Sequence, residues 1–337
     1  MNPRCFFIPF WPLLNFWRIA LNAGGISWLR IHRFLLISLY LFLTEPFRGL
    51  QILFHGKYYW NPKAVNPPVF IIGHWRSGTT FMQDALSKDK KFHYLSLYRM
   101  IAASHFRITE AWIAPVLNRL VRFVGWRYPL QRLPLDFNYS GELDVALTLL
   151  GSSKAYTWGH LFPRKYPVFY QSLILDESNH DWIKDYQIIL SNLQQQAPNT
   201  TLVLKSPGDT ARISRLIRAF PEARFIYMHR EKSATLASNE YLWNVLQRHY
   251  GFQRIGQEKV SALIDSTHAS LLKAYEVQKA EIPLNQRIEI ALEHLQEKPL
   301  EALQQVYDHF GFGPLPAEVV DFILTNVHQP QKSAANS

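Results

Sequence analysis

One short stretch of the chain restricts the fold more than any other. The apolar run Val69–Gly73 follows a proline-rich linker at 61–68 and predicts a short buried strand. The next residues, His74–Gly78, precede a helical pattern at Thr79–Leu86. A glycine-bounded loop in this setting points backbone amides and the positive end of a helix dipole at an anion. The segment Gly73–Thr80 therefore predicts a phosphate-binding loop.

The spacing of this loop is shared with another class of enzyme. Gly73 and Gly78 are spaced as in the Walker loop of nucleotide hydrolases, but Thr79 stands where that loop has its lysine. Arg76, inside the loop, could supply the missing charge. A nucleotide-dependent kinase or hydrolase on the same fold stays an alternative that the missing lysine disfavours. A tight turn capped by Ser77 or Thr79, with no ligand, is the other alternative.

Strand and helix patterns alternate along the rest of the chain. They predict strands at Leu202–Lys205, Phe225–His229 and Ile288–Leu292, and helices at Thr210–Phe220, Ser233–Gln247 and Pro299–Phe310. Alternation of this kind builds βαβ units, so an α/β fold with a central parallel sheet is expected. Residues 87–200 break the rhythm and predict a mainly helical insertion, the natural place for an acceptor pocket.

The first 60 residues are apolar, aromatic and basic. Met1–Thr44 holds four arginines and no Asp or Glu. Its apolar runs, Cys5–Leu14 and Phe34–Leu43, have ten residues each, whereas a helix that crosses a bilayer needs roughly 20. Short apolar runs with Trp and Arg are typical of segments that lie on a bilayer surface. Two interpretations stay open: peripheral membrane contact through residues 1–60, and a helical hairpin packed on the protein's own core.

Composition restricts the class of ligand. The 337 residues carry 36 Lys and Arg against 26 Asp and Glu, and the net charge of +10 favours an anionic partner. No histidine spacing typical of a metal site occurs, so no metal is expected. The basic and aromatic stretch Arg119–Arg132 predicts an amphipathic helix that lines the acceptor cleft or touches lipid, and no nucleic-acid partner is expected.

Cysteine usage bears on the compartment. The single cysteine, Cys5, excludes an intramolecular disulfide and favours a reducing environment. We therefore expect a cytoplasmic protein, at the inner face of the membrane if the first segment binds lipid. Two sequons, at Asn138 and Asn199, would instead suit a lumenal enzyme, which the lack of paired cysteines disfavours.

Two blocks of the chain together resemble the sulfotransferases that use 3′-phosphoadenylyl sulfate (PAPS). Gly73–Thr80 is similar to their 5′-phosphosulfate loop, and Leu202–Ser238 is similar to their second cofactor block. With weaker matches, the resemblance spans about 67–324. It implies a three-layer fold like that of P-loop nucleotide hydrolases, in a sulfotransferase domain at 61–337.

The resemblance also assigns residues to the co-substrate PAPS. In the superfamily, an Arg at the end of a strand and a Ser eight residues later grip the 3′-phosphate, and Arg230 and Ser238 match them. The loop residues that would bind the 5′-phosphosulfate are Arg76, Ser77, Gly78, Thr79 and Thr80.

Transfer of sulfonate between two oxygens needs fixed positive charge at the leaving oxygen and a base at the attacking hydroxyl. Lys205 lies in a Lys-x-Pro segment similar to that of tyrosylprotein sulfotransferases, which implies contact with the bridging oxygen. Glu142 is predicted as the base, with Asp144 second and His93 and His105 as alternatives. Because i and i+2 lie on different helix faces, only an irregular backbone would aim both carboxylates into one cleft.

These observations predict a sulfotransferase that moves a sulfonate group from PAPS to the hydroxyl of an alcohol, phenol or lipid-like acceptor. The basic, aromatic first segment favours an amphiphilic acceptor reached from the membrane face. The alternatives are the kinase or hydrolase described above and a membrane-attached binding protein without activity.

Overall fold

The computed structural model describes residues 7–57, 65–128, 134–152, 154–174 and 181–326. Cys5, linker residues 61–64 and Arg132 lie outside the described residues. The strands are β1 Val69–Gly73, β2 Phe92–Tyr94, β3 Thr201–Lys205, β4 Arg224–His229 and β5 Arg287–Ala291. The α-helices up to β3 are α1 Trp11–Asn22, α2 Ile31–His55, α3 Thr79–Leu86, α4 Leu97–Ile101, α5 Phe106–Val124, α6 Leu143–Leu150, α7 Thr157–Leu161, α8 Tyr166–Ile174 and α9 Asp181–Gln196. Those after β3 are α10 Ile213–Ala219, α11 Lys232–His249, α12 Gln257–Gln278, α13 Leu292–Glu297, α14 Pro299–Phe310 and α15 Ala317–Asn326.

The strands form one parallel sheet in the order β2-β3-β1-β4-β5. β1 lies in the middle, and its register sets Ile71 beside Lys205 of β3 and Gly73 beside Met228 of β4. The carboxyl ends of these three strands therefore meet at one edge, at the point where the strand order reverses. Parallel sheets bind ligands at such points. The predicted α/β fold with a central parallel sheet is confirmed.

Both faces of the sheet are covered, because successive residues of a strand point to opposite sides. Phe70 and Ile72 belong to one hydrophobic core, together with residues of α9 and α10. Val69 and Ile71 belong to the other core, together with residues of α3, α14 and α15. Helices on both faces of a parallel sheet make the three-layer architecture that the resemblance implied.

The first two helices form a hairpin on the first core. Phe16 of α1 and Phe34 of α2 are buried and stack with 4.6 Å between ring centroids. Both rings also meet Phe252 edge-on. No helix in the described ranges is long and apolar enough to cross a membrane.

Arg30, between α1 and α2, fastens this hairpin to the end of α11. Its buried guanidinium donates to the carbonyl oxygens of Gln247, Gly251 and Gln253. The Gln253 amide in turn donates to the carbonyl oxygen of Gly25 at 2.8 Å. These bonds join segments that lie more than 200 residues apart in the chain.

Two segments differ from the sequence predictions. The helix predicted at Thr210–Phe220 is divided into a 3-10 turn, Pro207–Ala211, and α10, because Arg212 leaves the helical region with a φ of −119°. The mainly helical stretch 87–200 also contributes the edge strand β2. With three residues, β2 is too short for an alternating pattern to show.

Thr210, in the 3-10 turn, ties this turn to the end of β1. Its buried Oγ1 accepts a hydrogen bond from the Gly73 amide at 2.8 Å and donates one to the Gly73 carbonyl at 3.1 Å.

The change Thr210→Val takes away the acceptor of the Gly73 amide in a buried place. We expect the free energy of unfolding, measured by urea denaturation, to fall by about 1–3 kcal/mol. The control Thr325→Val, at an exposed position of α15, should change it by less than about 0.5 kcal/mol. Equal, small effects of the two substitutions would contradict the role given to Thr210.

Candidate active site

The loop between β1 and α3 has a backbone that few residues can adopt. Gly73 has a φ of 135°, and a Cβ there would lie 2.1 Å from the carbonyl oxygen of Met228. Gly78 has a φ of 91°, and a Cβ there would lie 2.7 Å from Cδ1 of Leu292. Arg76 takes a φ of 71° although it is not a glycine. Such strain costs of order 1–3 kcal/mol and is concentrated at functional sites.

The helix after the loop begins without a side-chain cap. Its N-cap residue is Gly78, which has no side chain to accept from the first amides of the helix. The Ser77 hydroxyl donates instead to the His74 carbonyl at 2.7 Å, and the side chain of Thr79 is buried. The first amides of α3 and its dipole are therefore available to an anion, next to Thr80. The Ser77 amide and hydroxyl close a tight turn on the His74 carbonyl, and neither Ser77 nor Thr79 caps the start of α3.

Two arginines meet at this loop. Nε of Arg76 donates to the Ser238 hydroxyl at 2.9 Å, and Nη1 of Arg230 donates to the Arg76 carbonyl at 3.3 Å. Burial, followed by the nearby charge of Arg230, lowers the pKa of Arg76. In the described residues, no carboxylate lies within 4 Å of either guanidinium, so neither arginine has an ion-pair partner there.

Glu231, which follows Arg230, is engaged elsewhere. Its carboxylate caps α11 by accepting from the amides of Ser233 and Ala234, both at 2.8 Å. The hydrogen bond from the Ser233 hydroxyl, followed by those from the two amides and by the charge of Arg230, lowers the pKa of Glu231 to about 2. The nearest acid in sequence thus fixes the start of the helix that carries Ser238.

On the other side of β1, Lys205 and Glu142 form an ion pair. Nζ of Lys205 lies 3.1 Å from Oε2 of Glu142, and both side chains are largely buried. The Tyr156 hydroxyl donates to the second oxygen, Oε1. Burial, and then the charge of Glu142, raises the pKa of Tyr156 well above its usual value. Tyr156 therefore stays a donor that holds the carboxylate in place.

Glu142 and Asp144 do not enter one cleft. Glu142 is the extended N-cap residue of α6, with φ −105° and ψ 128°, so its side chain leaves the helix. Asp144, inside α6, is fully buried and lies 3.2 Å from Nη1 of Arg212. It also accepts from the amide and hydroxyl of Thr157 at 2.9 and 3.0 Å. Asp144 thus has a structural environment, and Glu142 faces Lys205.

The sequence reasoning missed a second acid near Lys205. Asp84 lies on α3, and its Oδ1 accepts from the Ser140 amide at 3.2 Å. Burial raises the pKa of Asp84, against the opposing influence of the Ser140 hydrogen bonds and of the Lys88 and Lys205 charges. The signal was available, because Asp84 comes one helical turn after Thr80. Tyr156 had no comparable local signal.

The two histidines considered as bases lie in other surroundings. Nδ1 of His105 lies 2.9 Å from the Thr109 hydroxyl, next to the Tyr40 hydroxyl, in the buried contact of α2 and α5. Burial lowers the pKa values of His93 and His105 to about 4. Within the described ranges, no group of three or more His, Cys, Asp or Glu side chains could hold a metal ion.

Comparison with known proteins decides the family. The sulfotransferase family model matches residues 67–313. This chain belongs to the sulfotransferase family. The predicted family is confirmed, and the kinase or hydrolase alternative falls away.

This sulfotransferase has curated relatives in mycobacteria. It is 26% identical over 313 residues to omega-hydroxy-beta-dihydromenaquinone-9 sulfotransferase Stf3 of Mycobacterium bovis, and equally to that of Mycobacterium tuberculosis. Each match covers 90% of this chain and 79% of the relative.

Solved structures agree on the fold. Sulfotransferase STF1 of Mycobacterium tuberculosis superposes with a TM-score of 0.71 and 17% identity, over 96% of this chain and 87% of that one. Sulfotransferase STF9 of Mycobacterium avium gives a TM-score of 0.66 and 19% identity, over 85% and 74% of the two chains. At these identities the likeness supports the fold alone.

His160 lies behind the site in an aromatic cluster. Its ring centroid is 5.7 Å from that of Trp75 in the loop and 5.9 Å from that of Tyr156. Burial lowers the pKa of His160 to about 4, whereas an unfolded chain protonates histidine near pH 6.5. The unfolded state therefore binds the extra proton first, and His160 costs stability as the pH falls from 6.5 towards 4.

The change His160→Phe removes this titration and keeps an aromatic ring in the cluster. When the pH falls from 7.5 to 5, the wild type should lose about 2 kcal/mol more of its free energy of unfolding than the variant does. Urea denaturation at the two pH values measures it. Parallel pH profiles would contradict a buried, neutral His160.

Proposed function

We propose that this sulfotransferase takes its sulfonate group from PAPS and delivers it to the hydroxyl of a lipid-like alcohol or phenol. The observation that carries the proposal is the meeting of Arg76 and Arg230 at the loop, with no carboxylate within 4 Å in the described part of the chain. Two neighbouring half-buried cations need an anion to offset their repulsion. PAPS carries a phosphate at the 3′ position of its ribose and a phosphosulfate at the 5′ position.

The residues of this chain suit such a ligand. The uncapped amides of α3, with Ser77, Gly78, Thr79 and Thr80, would hold the 5′-phosphosulfate end, as helix starts hold phosphates elsewhere. Arg230 and Ser238 would hold the 3′-phosphate, because a guanidinium fork and a hydroxyl match phosphate oxygens. Arg76 contacts both of these residues, because its carbonyl accepts from Arg230 and its Nε donates to the Ser238 hydroxyl.

PAPS, when bound, supplies a sulfonate group on a phosphate leaving group. Lys205 would place its ammonium at the leaving oxygen, where negative charge builds during transfer. Glu142 would take the proton from the acceptor hydroxyl. Their 3.1 Å contact keeps base and cation within reach of one reacting centre. Tyr156 is a positioning residue, because it holds Oε1 while Oε2 faces Lys205.

The acceptor class rests on the curated relatives. Stf3, by its name, sulfates an omega-hydroxylated dihydromenaquinone, which is a lipid with a terminal hydroxyl. A match over 90% of this chain supports a lipid-like acceptor here as well. We keep, as proposals, a catalytic domain at 61–337 with its acceptor side in 87–200, and a location at the cytoplasmic face of a membrane.

The change Arg230→Gln tests the nucleotide site. Adenosine 3′,5′-bisphosphate, the product form of PAPS, should lose about 10- to 100-fold in affinity in isothermal titration calorimetry, because one charged phosphate contact is removed. The control Lys232→Gln makes the same charge change at an exposed neighbour and should leave the affinity within about threefold. Equal losses in both variants would mean that charge alone, and no specific contact, binds the nucleotide.

The change Glu142→Gln tests the base. With ³⁵S-labelled PAPS and a membrane-lipid extract as acceptor, kcat should fall about 10²- to 10⁴-fold, while the affinity for adenosine 3′,5′-bisphosphate is kept. Asp144→Asn should lower the melting temperature instead, because it leaves Arg212 buried with one carboxylate fewer. Full activity of Glu142→Gln together with loss of activity in Asp84→Asn would move the base to Asp84.

A further inference from the structure

Helix α2 carries apolar side chains on its outward face as well as on its inward face. Its buried positions are Phe34, Ser38, Leu41, Arg48 and Gln51. Most of its exposed positions are apolar as well, and they include Leu35, Leu39, Phe42, Leu50 and Leu53. Surface helices of globular proteins face water with their polar side. The outward face of α2 is therefore suited to an apolar medium.

Helix α5 has the same outward apolar stripe. Its buried positions are Phe106, Thr109, Ala114, Asn118 and Val121. Its exposed face carries Trp112, Val116, Leu120 and Phe123, and the side chain of Phe123 is 90% exposed. Two helices with outward apolar stripes are more than scattered surface hydrophobics.

These two faces and α1 form one surface. Phe47 of α2 and Trp112 of α5 meet edge-on with 5.7 Å between ring centroids, and the Arg107 amide donates to the Gln51 side chain at 2.9 Å. Phe10, at the start of α1, stacks on Phe42 at 5.5 Å.

Between α1 and α2 runs an open groove of about 450 Å³, lined by Leu13, Leu14, Trp17, Ser38, Leu39 and Phe42. The Ser38 hydroxyl is occupied, because it donates to the Phe34 carbonyl and accepts from the Trp17 indole. The groove therefore presents an apolar surface to a bound ligand or lipid.

Charge and tryptophan distribution indicate what covers this surface. Residues 7–57 and 106–128 hold nine Lys or Arg and two Glu. Both acids are paired, Glu45 with Arg48 and Glu110 with Arg99. Among the described residues, every exposed tryptophan lies in these two segments: Trp17, Trp28, Trp112 and Trp126. Apolar side chains with basic residues and tryptophan are typical of surfaces that enter the interface of a bilayer.

We infer that α1, α2 and α5 form a membrane-docking surface that lies on a bilayer containing anionic lipid. The apolar stripes of α2 and α5 enter the acyl region, and Arg18, Arg119 and Arg122, which are exposed, face the lipid phosphates. This surface joins the membrane contact predicted for residues 1–60 to the stretch Arg119–Arg132, which was predicted to line the cleft or touch lipid, although the helix there ends at Val124. A second copy of the chain fits less well, because two such basic surfaces repel each other.

The surface adjoins the acceptor side of the site. Asn118 of α5 accepts a hydrogen bond from the Phe137 amide at 2.8 Å, and Phe137 comes five residues before Glu142 in the chain. A hydroxyl carried by a membrane lipid would thus reach Glu142 close to the bilayer. Docking itself does not depend on the proposed acceptor and can be tested without catalysis.

Vesicle flotation tests the docking. The wild-type protein should float with vesicles of equal parts phosphatidylcholine and phosphatidylglycerol, and less with phosphatidylcholine alone. The double change Leu53→Asp with Phe123→Asp sets charges on the apolar stripes, at side chains 74% and 90% exposed. It should weaken partitioning by at least about tenfold. A second pair, Leu36→Asp with Leu120→Asp, should do the same.

The matched control is Val277→Asp with Leu284→Asp, at side chains 67% and 74% exposed outside this surface. It should float like the wild type, although it adds the same charge. Unchanged affinity for adenosine 3′,5′-bisphosphate shows that each variant is folded and separates this test from that of the nucleotide site. A wild-type protein that stays at the bottom of the gradient, stripe variants that float, or a dimer by light scattering without vesicle binding would overturn the proposal.

Discussion

The site depends on a contact between two backbones. Gly73, at the end of β1, lies so close to the carbonyl oxygen of Met228 in β4 that no side chain fits between them. This approach sets the loop after β1 against Arg230, which comes two residues after Met228. On the other flank, the pairing of Val69 with Val203 brings Lys205 to the same edge. The three cationic side chains of the site, Arg76, Lys205 and Arg230, therefore come from three neighbouring strand ends, and the sheet register fixes their relative positions.

Much of this arrangement could be predicted from local patterns. The bounds of β1, α3 and α14 were predicted to the residue, because each has its signal inside the segment: an apolar run bounded by turns, a glycine before the helix, a proline at the first helical position. The order of strands and helices was enough to predict a parallel sheet. Arg76 was predicted from its place inside the loop, Arg230 and Ser238 came from a resemblance, and the roles of all three stay predictions.

Other features could not be read from the sequence. The contact between Lys205 and Glu142 joins residues 63 positions apart, and no local period encodes which distant loop meets a strand end. Tyr156 reaches Glu142 by the same kind of long-range packing. The outward faces of α2 and α5 are a further case. An apolar stripe ordinarily marks the inward face of a helix, but here Leu39 and Phe123 are exposed while Phe34 and Val121 are buried, so the pattern alone does not tell which apolar side meets the core.

The bonds of Arg30 have a mechanical consequence. Its guanidinium holds carbonyls at the carboxyl end of α11, and the same helix carries Ser238 nearer its start. A force applied to the hairpin is thus transmitted along a rigid rod to the hydroxyl that contacts Arg76. Residues 7–57 are in this sense part of the scaffold of the candidate site, and a chain shortened to begin at 61 would lose the bonds that Arg30 gives to the end of α11.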